Sequence, residues 1–142
     1  MTAHHTIEVK IDPPDDEVAR LQHCLRSYNA SQVGDFGRWS LLLTLIDSKI
    51  DFAGGLFGKI SSGWLFVDTL WVAEQIRGHG QGRELLRTAE EEARNRGCRN
   101  AWVDTYSPQA RSFYERSGYT VFAELPDYPP GHTRYFLKRS LA

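Results

Sequence analysis

The chain has 142 residues, 41% of them hydrophobic and 25% charged, which is the size and composition of one ordinary globular domain. Lys and Arg number 17 against 18 Asp and Glu, a formal net charge of -1. That balance gives no electrostatic reason for a nucleic-acid or anionic-membrane partner.

Residues 6–11 alternate Ile7, Val9 and Ile11 with polar side chains, the pattern of a half-buried strand. No apolar core of a secretory signal occurs in residues 1–10, so the cytoplasm is the expected location. Pro13-Pro14-Asp15-Asp16 ends that strand and opens a helix on which Val18, Leu21, Leu25 and Tyr28 recur at helical spacing. Residues 39–46 read as a buried strand, whose apolar run is far too short to cross a bilayer. Turns at 47–49 and 61–63 send the chain back through 50–60 and again through 64–72, an antiparallel meander.

The period then becomes helical. Over residues 81–96, Leu85, Leu86, Ala89 and Ala93 share one face. Glu84, Arg87, Glu90, Glu91 and Arg94 are assigned to solvent, with Glu90 and Arg94 spaced as an ion pair. Gly97 stops this helix, and residues 101–105 form a short buried strand. Ser107 caps a further helix, with Pro108 at its first position and Gly118 at its end. Residues 119–123 and 133–138 are the last strands, joined by a proline-rich stretch at 125–132. Cys24 and Cys98 stand in no metal-ligand spacing and read as reduced, buried thiols, so no metal is expected.

A strand–helix–strand crossover through residues 64–105 demands a parallel pair. The expectation is a single α/β domain over residues 1–142. Its mixed, mostly antiparallel sheet has six to seven strands flanked by three to four helices, unlike a doubly wound fold.

The most informative stretch joins the third meander strand to the following helix. Gly78, Gly80 and Gly82 alternate in Arg77-Gly78-His79-Gly80-Gln81-Gly82, which lets successive backbone N–H groups face one side. The helix behind them adds its own unpaired N–H groups and positive dipole end, so the turn can hold a pyrophosphate without a metal. A P-loop fails here because no lysine follows the glycines, and a dinucleotide fingerprint fails at Arg83.

Leu70-Trp71-Val72 followed by Arg77-Gly78-His79-Gly80-Gln81-Gly82 resembles the L-x-V and [RQ]-x-x-G-x-[GA] block of the GNAT superfamily of acyl-CoA-dependent acyltransferases. A second block, from Ser107 to Tyr119, resembles that family's N-x-x-A-x-x-[FL]-Y-x-x-x-G-[FY], with Ser107 in place of the leading Asn. The ending P-P-G-H-T-R-Y-F-L is similar to one branch of small bacterial members. The resemblance implies the GNAT fold, with the parallel pair at the CoA site and acetyl-CoA as donor. It puts Arg77, Gly78, His79, Gly80, Gln81 and Gly82 at the CoA pyrophosphate. The backbone of Leu70, Trp71 and Val72 falls to the pantetheine and acetyl carbonyl, with Ala110, Phe113 and Tyr114 beside the donor. Ser107, lacking the amide, is left as a helix cap near the donor. Pairing as a homodimer is a further implication.

Acetyl transfer to an amine needs a proton removed from the amine, the carbonyl oxygen stabilised, and the departing thiolate protonated. Tyr114, at the family's tyrosine position, is the candidate acid; core packing beside Phe113 is the other reading. Asp68, within an apolar strand and by simple alternation on the face of Leu70 and Val72, is the candidate base, directly or through water. A structural carboxylate is the alternative reading. Tyr128 and His132 are expected to border the acceptor, which is an amine of a small molecule or protein. The expected activity is N-acetyltransfer by direct attack on the thioester. A catalytically inactive acyl-CoA sensor or interaction module of the same fold is the competing reading.

Overall fold

The computed structural model describes residues 4–142, which fall into two compact units divided after Asp35. In the first, helix α1 spans Asp15–Val33. Pro14 precedes it, Asp15, Asp16 and Glu17 put negative charge at the positive dipole end, and Gly34 at φ 95° ends it. Lys10 pairs with Glu17. The strand expected at residues 6–11 is not formed. Alternation supplies only half of what a strand needs, because its backbone groups require a hydrogen-bonded neighbour, and this stretch lies in no ladder.

The second unit carries the expected meander as β1 (Arg38–Asp47), β2 (Asp51–Ser61) and β3 (Trp64–Val72). Asp47 Oδ1 accepts from the backbone N–H of Lys49 and Ile50, which fixes the first turn. Helix α2 (Gln81–Asn95) then crosses to β4 (Asn100–Thr105), and helix α3 (Pro108–Arg116) leads to β5 (Thr120–Pro126) and β6 (Thr133–Ser140). The six strands lie in the order β1-β2-β3-β4-β6-β5, with β3 and β4 as the one parallel pair. This is the α/β architecture the sequence implies. Strand β5 runs to Pro126, so the turn after it is shorter than the proline content suggests.

Both later helices pack on one face of the sheet. Leu56, Ile60, Leu65, Val67, Ala101, Val103 and Leu137 meet Leu85, Leu86, Ala89 and Ala93 of α2 and Tyr114 of α3. Each buried leucine contributes about 1.5–3 kcal/mol.

Glu90 corrects the sequence reading. It is 1% exposed, on the buried side of α2, and does not pair with Arg94. Tyr119 donates its hydroxyl to Glu90 Oε2 at 2.7 Å, and Arg139 Nη1 donates to Oε1 at 2.9 Å. The buried stripe of α2 is wider than the leucine and alanine positions alone, and takes in a carboxylate one turn after Leu86. Arg94 instead bonds the Leu141 carbonyl at 2.9 Å. Of the two cysteines, Cys98 is buried but Cys24 is exposed. No helix among the described residues is long and apolar enough to cross a membrane.

Candidate active site

The parallel ladder is short. It runs from Trp64–Asn100 to Val67–Val103 and stops, although β3 continues to Val72 and β4 to Thr105. Beyond Val103, each strand stays bonded to its other neighbour. Leu70, Trp71 and Val72 pair with Leu56, Gly55 and Gly54 of β2, while Asp104 and Thr105 pair with Phe136 and Tyr135 of β6. The gap therefore opens between β3 and β4, leaving backbone N–H and C=O groups on the facing edges without ladder partners. Gly54 keeps the β2 side tight: at φ 150°, an added Cβ would lie 2.4 Å from the Trp71 carbonyl oxygen.

Two contiguous clefts of about 460 and 340 Å³ line the helical side of this opening. The smaller is bounded by Leu70, Trp71, Val72, Ser107, Ala110, Phe113 and Tyr114, the larger by Arg77, Gly78, Gly80, Gln81 and Gly82. They share Val72, Arg77, Gly82 and Phe113. The structure thus brings together the two sequence blocks, one running from the end of β3 into the start of α2 and the other along α3. Gln109, Arg83 and Arg116 also line the clefts, a placement that their sequence positions did not signal.

Residue types at the glycine loop suit a phosphate. Gly80 caps α2 in the left-handed conformation at φ 86° and contributes no side-chain oxygen. Glu84 N–H is the first to find a helical acceptor, Gly80 O at 3.0 Å, so those of Gln81, Gly82 and Arg83 remain for a ligand. A Cβ at Gly78 or Gly80 would meet nothing within 4 Å, so the cradle there is open. Gln81 Oε1 is buried with no hydrogen-bond partner among the described residues. Arg77 turns back, its Nε donating to Val72 O at 2.7 Å. His79 lines neither cleft; its Nδ1 lies 3.1 Å from Ile76 O, which fits a spacer that shapes the loop. Ser107 is a cap, accepting from Ala110 N–H at 3.2 Å, and it also lines the smaller cleft.

Tyr114 is 5% exposed and packs edge-on to Phe113 and Tyr119, so it is a core residue and a cleft residue together. Burial, and next the charge of Asp104, push its pKa well above the usual tyrosine value. It is therefore neutral across the whole physiological range.

Asp68 is not on the face of Leu70. Leu56 opposes Leu70 and Gly58 opposes Val67, so Asp68 and Thr69 share one partner position opposite Phe57. This β-bulge inserts an extra residue and turns Asp68 to the face away from α2, where it is exposed. Its carboxylate accepts from Thr69 Oγ1 at 2.8 Å. Asp104 occupies the same face of β4, between core-facing Val103 and Thr105, and is held by Arg134 Nη1 at 2.8 Å. Tyr128 and His132 lie apart from the clefts, in a group with Tyr106 and Arg134. Asp104, Tyr106 and Arg134 were not singled out in the sequence, since their proximity depends on strand pairing.

Known proteins agree with this geometry. Residues 14–119 match the family model described as Acetyltransferase (GNAT) family. Acetyltransferase Atu2258 of Agrobacterium fabrum is 38% identical over 115 residues, covering 81% of this chain and 84% of that protein. Blasticidin-S acetyltransferase of Streptomyces morookaense is 46% identical over 92 residues, 64% of this chain and 68% of that one. A solved Agrobacterium tumefaciens structure superposes with a TM-score of 0.88 at 32% identity, covering 96% of this chain and 99% of the other. With the split β3–β4 ladder and the glycine-rich start of α2 in place, the chain belongs to the GNAT family of acetyltransferases.

Proposed function

We propose that the chain works as one cytoplasmic catalytic domain that transfers the acetyl group of acetyl-CoA to an amine by direct attack on the thioester. The observation that carries this reading is the continuous path from the bare N-terminus of α2 to the unpaired edges of β3 and β4, with the Tyr114 ring at its wall. Arg77, Gly78, Gly80, Gln81 and Gly82 would hold the pyrophosphate through backbone N–H groups and one guanidinium. Leu70, Trp71 and Val72 would offer the free β3 edge to the pantetheine amides, much as a sheet edge accepts an added strand.

The thioester supplies an activated acetyl group, and the protein's part is to place it and manage protons. An alkyl amine with a pKa of about 10.4 arrives protonated at neutral pH. Asp68 can take that proton directly or through one water, since no cation pairs with it among the described residues. Backbone N–H groups at the β3 edge can stabilise the carbonyl oxygen as it becomes negative. Tyr114 can donate its hydroxyl hydrogen bond to the thiolate as it leaves. The amine would enter from the face that carries Asp68 and Asp104, opposite the donor cleft.

The relative that acts on blasticidin S makes that compound a rational acceptor to try first. The test is calorimetry with CoA, followed by free-thiol detection with acetyl-CoA and a panel of blasticidin S, cadaverine and a peptide with a free N-terminus. Thiol release with any of them supports the reading. CoA binding without release would favour the sensor, and absence of CoA binding would remove the donor assignment.

A further inference from the structure

Arg134 projects from β6 into a group of side chains drawn from three other segments. Its Nη1 donates to Asp104 Oδ1 at 2.8 Å, tying β6 to the free end of β4. Its guanidinium lies 3.8 Å from the centroid of the Tyr128 ring and 5.2 Å from that of Tyr106. The Tyr106 ring lies 6.3 Å from that of His132. The Arg134 and Asp104 side chains are each 20% exposed, so this is a well-covered pair rather than a solvent-swept surface contact.

The location gives this arrangement its meaning. Asp104 is the first residue of β4 beyond the last parallel pair, and Tyr106 immediately precedes Ser107, which lines the donor cleft. Tyr128 and His132 close the β5–β6 turn on themselves, Tyr128 N–H bonding His132 O at 3.1 Å and His132 N–H bonding Pro129 O at 2.9 Å. Among the described residues, Arg134 is the side chain that bonds this turn to β4, its Nε making a long contact of 3.5 Å to Tyr128 O while its Nη1 holds Asp104.

We propose that Arg134 is the positioning residue of the acceptor side, clamping Asp104 and the Tyr128–His132 turn into one wall that receives a cationic amine. The wall combines the second oxygen of Asp104 with the tyrosine rings, and Asp68, which pairs with no cation among the described residues, lies across the opening. Asp68 and Asp104 together carry more negative charge than Arg134 offsets, which favours a cation, so the acceptor enters as an ammonium and gives up its proton within the site. A lysine would provide the charge but not the flat fork that bonds a carboxylate while stacking on a ring. This proposal rests on the transferase reading above, but half of its test does not.

That half is amide exchange. Arg134→Met should speed exchange of the Tyr128 and His132 N–H groups by about 10-fold or more, with α2 and the β3 amides unchanged. The other half is kinetic, using the fastest amine of the panel above. The acceptor KM should rise by about 10-fold while the KM for acetyl-CoA stays within about twofold. If Arg134→Met fails to fold, Arg134→Lys keeps the ion pair and carries the same expectations at about threefold. Unchanged exchange in the turn, or equal effects on both KM values, overturns the proposal. Should wild-type protein turn over no amine at all, the transferase reading fails, and the exchange measurement still decides whether Arg134 holds the wall.

Discussion

Asp68 and Asp104 are the first residues beyond Val67 and Val103, the last pair of the parallel ladder, so a carboxylate stands on each lip of the opening. The two are not equivalent. Asp104 is neutralised by Arg134, whereas among the described residues Asp68 accepts from the Thr69 hydroxyl and pairs with no cation. A proton acceptor works best with an uncompensated charge, which is why the proposed mechanism uses Asp68 as base and Asp104 as fixed wall.

Asp68→Asn should therefore lower kcat by about 10²-fold or more, within the usual range for lost base catalysis, while CoA affinity stays near wild type. The acidic limb of the pH–rate profile should vanish in the variant. Retention of that limb with near-normal turnover would make Asp68 structural.

Tyr114→Phe removes a single hydroxyl from the wall of the smaller cleft. A phenol whose pKa lies above 10 is a weaker acid than a thiol of pKa about 8.5, so full transfer to the thiolate is uphill, and hydrogen-bond donation is its larger contribution. The expected loss is correspondingly small, about 10–100-fold in kcat. Melting temperature and acetyl-CoA affinity should change little, because the ring still packs on Phe113 and Tyr119. A wild-type kcat would remove the acid role, provided chemistry limits turnover.

Gly82→Val is a cleaner probe of the donor cleft than a change at Gly80. Gly80 holds a left-handed φ of 86°, so any side chain there brings backbone strain. At Gly82 a Cβ makes ordinary contacts, 3.6 Å to the Phe113 ring and 3.9 Å to Val72, and a larger side chain extends into the cleft. CoA affinity by calorimetry should fall about 10-fold or more, against a stability loss of about 1 kcal/mol. Unchanged affinity in the folded variant would place the donor elsewhere.

Glu90→Ala removes the carboxylate shared by Tyr119 and Arg139. Breaking such a buried pair costs about 3–5 kcal/mol, and the low end applies because Arg139 is itself about a third exposed. Urea unfolding should show a loss of about 3 kcal/mol, with CoA affinity of the folded protein intact.

Alkali should unfold the protein through two tyrosines. Burial raises the pKa of Tyr114, and burial followed by the Glu90 charge raises that of Tyr119. The unfolded chain loses these protons first, so the stabilisation is complete below pH about 10 and declines as pH rises further, at up to about 1.4 kcal/mol per unit for each group. Melting temperatures between pH 8 and 11 should fall less steeply for Tyr114→Phe than for wild type.

The meander, the crossover helix and the two blocks that line the clefts were legible in the sequence. These are local features: a period of two or 3.6, a Ser-Pro helix start, and glycines where backbone must lie bare. They placed β3 at its observed ends, and the resemblance to the GNAT blocks pointed to Leu70 to Val72, Ala110, Phe113 and Tyr114 and to the loop from Arg77 to Gly82, of which His79 lines neither cleft. Pairing decided the rest. The bulge opposite Phe57 turned Asp68 to the other face, because one extra residue reverses the alternation that sequence reading assumes. Glu90 went inward because partners 29 and 49 residues away satisfy it there. The group of Asp104, Tyr106, Tyr128 and Arg134 exists only once β4 lies beside β6, and no local pattern records that neighbourhood.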